Sequence, residues 1–99
     1  MTVLHFTPAR QLVDANQRPY FLWDVEVRLD AFRALLESPD RAVAAYWLGR
    51  LMREARPDDV FQFVSLERIR DLWPEVLPYL GRNRDFWTWL LGRWSADAR

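Results

Sequence analysis

The sequence predicts a mainly α domain, a compact bundle of about five short helices preceded by an N-terminal β-hairpin or extended arm. From position 28 onward apolar residues recur at three- and four-residue spacing, the period of a buried helix face. Residues 1–27 instead hold two short runs of strand formers on either side of a turn. The chain has 99 residues, 51% of them hydrophobic, which suits one core and a single domain over 1–99. It divides into an arm at 1–27, a helical unit at 28–94 and a frayed tail at 95–99.

In the arm, Gln11-Leu12-Val13-Asp14 and Tyr20-Phe21-Leu22-Trp23 are the expected strands. Asn16, between them, tolerates the left-handed angles of a tight turn, and Pro19 suits the start or edge of the second strand. An isolated hairpin is marginal in water, so the arm needs the helices or a partner to pack on.

Leu29, Phe32, Leu35 and Leu36 mark a short first helix that stops near Ser38-Pro39-Asp40, because the residue before proline avoids helical angles. Ser38 is the expected N-cap of a second helix over about 39–55, with Asp40 at its positive dipole end. Its buried stripe is Ala44, Trp47, Leu48, Leu51, Met52 and Ala55. After Arg56-Pro57, Asp58-Asp59 opens a short turn of helix with Val60, Phe61 and Val64 inward. Ser65 caps the next helix, whose inner face is Leu66, Ile69, Leu72 and Trp73, and Pro74 interrupts or kinks it. Gly81 ends the following short segment, and Asn83 caps a final helix carrying Phe86, Trp87, Leu90, Leu91 and Trp94 inward.

Composition removes most catalytic chemistry. There is no Cys, so disulfides, thiolate nucleophiles and Cys-based zinc sites are excluded. All fourteen cations are Arg, so Schiff-base chemistry, a P-loop and nuclease motifs with a catalytic Lys are excluded as well. The single His5 cannot supply paired imidazoles for zinc. Fourteen Arg balance fourteen carboxylates, which lacks the footprint of a general nucleic-acid binder. No secretory leader is visible, and the longest apolar run, Ala42 to Leu48, is far short of a membrane span. A cytoplasmic protein is expected.

The remaining chemical candidates reduce to structural roles. Asp24, Glu26 and Asp30 match a carboxylate metal cluster only in residue type, and Asp30 belongs in a first helical turn. Pro57-Asp58-Asp59 has the form of helix initiation. Cap serines and a terminal histidine do not assemble a triad. No catalytic residue, metal or cofactor is expected.

Binding candidates are more informative. Trp23, Trp47, Trp73, Trp87 and Trp94 lie on apolar stripes and are read as core. Trp89 lies off its stripe near Arg93, a pairing common in interface hot spots. On the second helix Ala42, Tyr46, Gly49, Arg50 and Arg53 line the face opposite the core. Glycine there lowers helix propensity by about 1 kcal/mol against alanine, which fits close approach of another backbone and, equally, plain tolerance of glycine. The expected partner-binding set is therefore Tyr46, Gly49, Arg50, Arg53, Trp89 and Arg93.

The string Arg18-Pro19-Tyr20-Phe21-Leu22-Trp23-Asp24, the segment Tyr46-Trp47-Leu48-Gly49-Arg50-Leu51-Met52-Arg53, then Leu72-Trp73-Pro74 and the Trp-rich final helix have a joint likeness. Over residues 18–94 the chain resembles a family of small uncharacterised bacterial proteins encoded beside nucleotidyltransferase toxins of the abortive-infection type. The resemblance implies an antitoxin-like protein that binds the toxin directly, with no catalytic residue to carry over. Arginines would then pair bidentately with the acidic residues by which the toxin holds magnesium. The alternative is a helical DNA-binding or transcriptional accessory domain, with 58–64 and 66–73 mimicking a helix-turn-helix. Self-association is a third reading, on the aromatic content.

Overall fold

Residues Arg41–Glu54 form the helix around which the rest of the chain is wrapped. The computed structural model describes residues 4–97, and side chains as far as Arg93. In chain order the helices are α1 (Ala9–Leu12), α2 (Leu29–Leu36), α3 (Arg41–Glu54), α4 (Pro57–Phe63), α5 (Leu66–Val76) and α6 (Arg84–Asp97). Single 3-10 turns lie at Tyr20–Leu22, Leu77–Tyr79 and Gly81–Asn83. Against α3 pack α2, α4, α5 and all three 3-10 turns.

The central place of α3 follows from its residues. Ala44, Ala45, Leu48, Leu51 and Met52 are buried, and the two alanines with Gly49 let neighbours come close. Rings fill the space between α2, α4 and the Tyr20–Leu22 turn. Phe32 is wholly buried and meets Phe21 at 5.2 Å, Phe63 at 5.5 Å and Trp47 at 6.3 Å, all edge-on. That geometry suits the ring quadrupoles, each pair adding about 0.5–1.5 kcal/mol beyond the area buried. Ile69, Leu72 and Val76 of α5 close the other side of α3. The Cα radius of gyration, 13.4 Å, is that of one compact domain of about 100 residues.

The arm is not a hairpin. Among the described residues there is no strand, only an isolated antiparallel bridge between Val13 and Pro19. The tight turn does form. The Asp14 carboxylate accepts from the amides of Asn16 and Arg18 and from Arg18 Nε, while Gln17, and not Asn16, takes the positive φ of 62°. Pairing stops at Pro19, which has no N–H to donate. Beyond it Phe21 and Leu22 are both buried. Strand alternation sends adjacent side chains to opposite faces, so burying two in a row favours a helical turn. Trp23, expected in the core, is turned out and 70% exposed.

Other local assignments shift by a residue or a partner. Asp40, not Ser38, caps α3, accepting from Ala42 N at 2.9 Å, and Ser38 Oγ accepts from Asp40 N one step earlier. Ser65 caps α5 as expected, accepting from Arg68 N. Pro74 lies inside α5 without ending it, on an exposed position. The Asn83 side chain donates to Arg53 O at 2.7 Å, so it satisfies a carbonyl in the last turn of α3. The helix α6 continues through residues 95–97. Residues 98–99, and the side chain of Trp94, lie outside the described residues.

Candidate protein-interaction surface

The outer face of α6 carries the exposed aromatics. Phe86 and Trp87 are adjacent, so about 100° separates them around the helix and only one can point at the core. Trp87 takes that place. It is 1% exposed, its ring lies beside Phe61, and its indole N–H donates to Met52 O at 2.8 Å. Phe86, expected to be buried, is therefore left 39% exposed. Trp89 is 58% exposed, three residues on and on the same face. The two rings lie 6.3 Å apart, and the Arg93 guanidinium sits 5.7 Å from the Trp89 centroid. At the inner edge of this strip is an open groove of about 300 Å³ lined by Met52, Ala55, Pro57, Asn83, Phe86 and Trp87.

The far face of α3 is different. It is covered by the chain's own residues 77–83. Gly49 is buried beneath Tyr79, and a Cβ added there would lie 2.6 Å from the Tyr79 Cβ. The close approach that Gly49 allows thus exists within the molecule. Arg50 is only 7% exposed and forms an ion pair with Asp24. Burial opposes its charge, while Asp24 and the Tyr46 phenol more than offset this, so the guanidinium is held protonated more firmly than usual. The hydrogen bond from Arg50 correspondingly holds the Asp24 carboxyl below its ordinary value. Arg53 donates to Glu54 at 3.0 Å and to Tyr79 O at 3.3 Å. Of this set only Tyr46 is exposed, its ring against those of Trp47 and Tyr79. The six expected residues therefore fall into two groups. Tyr46, Gly49, Arg50 and Arg53 gather around Asp24 and Tyr79, and Trp89 and Arg93 sit beside Phe86.

The three carboxylates weighed as a metal cluster each face a different arginine. Asp24 pairs with Arg50, Glu26 with Arg18 at 3.5 Å, and Asp30 with Arg28 at 3.6 Å. Among the described residues no group of three or more His or acidic side chains converges as a metal site would require. On α5, Arg68 faces Asp71 and donates to Leu36 O, and Arg41 bridges Asp71 and Glu75 at 3.1 Å each. A helix so lined with paired acids is poorly suited to lie along phosphates.

Asp59 is the largest departure from the sequence reading. It lies in the first turn of α4 as expected, but it is wholly buried. Its carboxylate accepts from Thr7 N at 2.7 Å, Thr7 Oγ1 at 2.6 Å, the Tyr20 hydroxyl at 2.6 Å and Gln62 Nε2 at 2.8 Å. Burial works against the charge, yet these donors hold the carboxyl below the usual 3.8. Burial and the Asp59 carboxylate together push the Tyr20 phenol up to about 12. Asp58 accepts from His5 N, and Arg56 donates to Thr7 Oγ1 and His5 O. The extended residues before α1 are thus fastened to the start of α4 by polar contacts. Nothing in the local sequence marks Asp59 for this, since its partners Thr7 and Tyr20 lie 52 and 39 positions away.

Comparison with protein-family models, with curated proteins and with solved structures finds no match to this chain.

Proposed function

We propose that the chain is a non-enzymatic protein-binding module that docks through the outer face of α6. The observation carrying this reading is the exposed Phe86–Trp89 pair with Arg93 over the indole. Trp and Arg are enriched in the few residues that supply most of an interface's energy, and aromatics grouped in a patch are more informative than scattered ones. The arginines on the far face of α3 are less suited to this work, since Arg50 is buried and held by Asp24.

The finer reading rests on the resemblance over residues 18–94. In it the protein is antitoxin-like and neutralises or regulates a nucleotidyltransferase-type toxin by occupying its surface. The test is co-expression with a nucleotidyltransferase toxin of the abortive-infection type that the resemblance implies. The wild-type chain should co-purify with the enzyme, and Trp89→Ala combined with Arg93→Glu should abolish capture without lowering the melting temperature appreciably. Failure of the wild type to co-purify removes the toxin reading; capture unaffected by the double variant removes the α6 face.

A further inference from the structure

We infer that the groove beside Phe86 receives an apolar side chain carried on an acidic segment of the partner protein. This rests on the protein-binding reading above and adds the chemistry of what is bound.

The floor of the groove is Met52, Ala55 and Trp87, each at most 8% exposed, and its walls are Pro57, Asn83 and Phe86. The side-chain donors of this lining have partners within the fold. Asn83 Nδ2 donates to Arg53 O, and the Trp87 indole donates to Met52 O. What the groove offers an incoming group is therefore apolar contact. Its volume of about 300 Å³ is at the lower end for small-molecule sites, and suits a bulky aliphatic or aromatic side chain. Phe86 belongs both to the groove wall and to the aromatic strip, so one continuous apolar track runs from the floor to Trp89.

Charge around the track is positive in excess. Arg82 and Arg84 flank Asn83, and Arg93 lies over Trp89. All three are exposed, and among the described residues none forms an ion pair with a carboxylate. Arg56, next to Pro57, gives its guanidinium hydrogens to neutral oxygens of Thr7 and His5. The acids alongside are fewer: Asp85, exposed between Arg84 and Phe86, Asp58, which accepts from the His5 amide, and Glu54, which is paired with Arg53. A chain of zero net charge thus gathers an excess of arginine over acid around one apolar groove. An apolar anchor with Asp or Glu on either side complements both features. A nucleic-acid strand would satisfy the arginines and stack on Trp89, but it leaves the apolar floor unfilled.

The experiment selects a random displayed-peptide library on the full-length chain. Recovered peptides are then measured by fluorescence anisotropy against wild type, Phe86→Ala, Arg82→Glu/Arg84→Glu and Tyr46→Ala, with oligouridine as a separate probe. The expected peptides share a Leu, Ile or Phe anchor within a few residues of Asp or Glu. Affinity should fall about tenfold or more in the charge-reversed and Phe86 variants and stay unchanged in Tyr46→Ala. The charge-reversed variant alters only exposed side chains, so it keeps the test decisive if Phe86→Ala is poorly folded. Recovery of no peptide, peptides without acids, affinity indifferent to Arg82 and Arg84, or binding of oligouridine in preference to peptide each overturns the inference. Toxin capture that needs Trp89 but neither Phe86 nor the two arginines overturns it while leaving the broader reading in place.

Discussion

Gly49 and Tyr79 meet so closely that a carbon added to the glycine would stand 2.6 Å from the tyrosine Cβ. The contact is at the root of the Tyr79 side chain, which a rotamer change cannot move aside. Gly49→Ala gains about 1 kcal/mol of helix propensity but forces α3 and the Leu77–Tyr79 turn apart, at about 1–3 kcal/mol. A net loss of stability is expected, read as a lower midpoint in urea. A higher midpoint would show that the two segments are not in contact.

The Arg50–Asp24 pair is asymmetric, with 9% of one side chain exposed and 37% of the other. Removing Asp24 leaves a buried guanidinium without its counterion, whereas removing Arg50 leaves a carboxylate that water can reach. Arg50→Met is expected to cost under about 1.5 kcal/mol, and Asp24→Ala to lower the melting temperature further. Equal melting temperatures, or the reverse order, would contradict the burial of Arg50.

Asp59→Asn replaces one acceptor oxygen with a donor in a site that presents four donors. A loss of about 2–3 kcal/mol is expected, with faster amide exchange at Thr7. Asp58→Asn, which touches only the exposed His5 amide bond, should cost much less. Similar losses for the two variants would count against the buried site.

The same site sets the pH dependence. The Asp59 carboxyl holds its proton less tightly folded than unfolded. Its contribution is therefore complete above about pH 4 and is lost as pH falls through the depressed folded value. The Tyr20 phenol holds its proton more tightly when folded, up to about 12. That contribution is complete below about pH 10 and disappears as pH rises toward the folded value. Denaturation midpoints across both limbs should show the acid limb flattened in Asp59→Asn and the alkaline limb flattened in Tyr20→Phe. Unchanged limbs in these variants would place the titrating groups elsewhere.

Most features that depend on neighbours in sequence were legible, although the α3 cap fell at Asp40 and not Ser38, and the positive φ at Gln17 and not Asn16. The apolar stripe of α3, the Ser65 cap and the stop after Leu36 all follow from spacing and backbone chemistry. At Gly49 the sequence left close approach and plain tolerance equally open; the approach is real, and the neighbour is Tyr79 of the same chain. Features set by distant partners were not legible. Tyr20-Phe21-Leu22 has strand composition, but the core takes Phe21 and Leu22 together and Asp59 takes the Tyr20 hydroxyl. Asn83 has the look of a cap for the helix it precedes, yet its amide serves α3, 30 residues back. Phe86 and Trp87 compete for one inward position, and the larger ring with an N–H to place won it. On the expected binding surface, spacing pointed to the exposure of Trp89 beside Arg93 but could not show that Arg50 was already taken.

The fastening of Thr7 to Asp59 also fixes an order of events during synthesis. Its two ends are 52 residues apart, so residues 5–8 have nothing to hold until α4 has left the ribosome. By then α2 and α3 can already have folded against each other through short-range contacts. Closing so long a loop through polar bonds makes this segment readier to detach than the helices it is fastened to. Brief protease exposure of the native protein should therefore nick the chain ahead of α1 while the helices beyond remain whole.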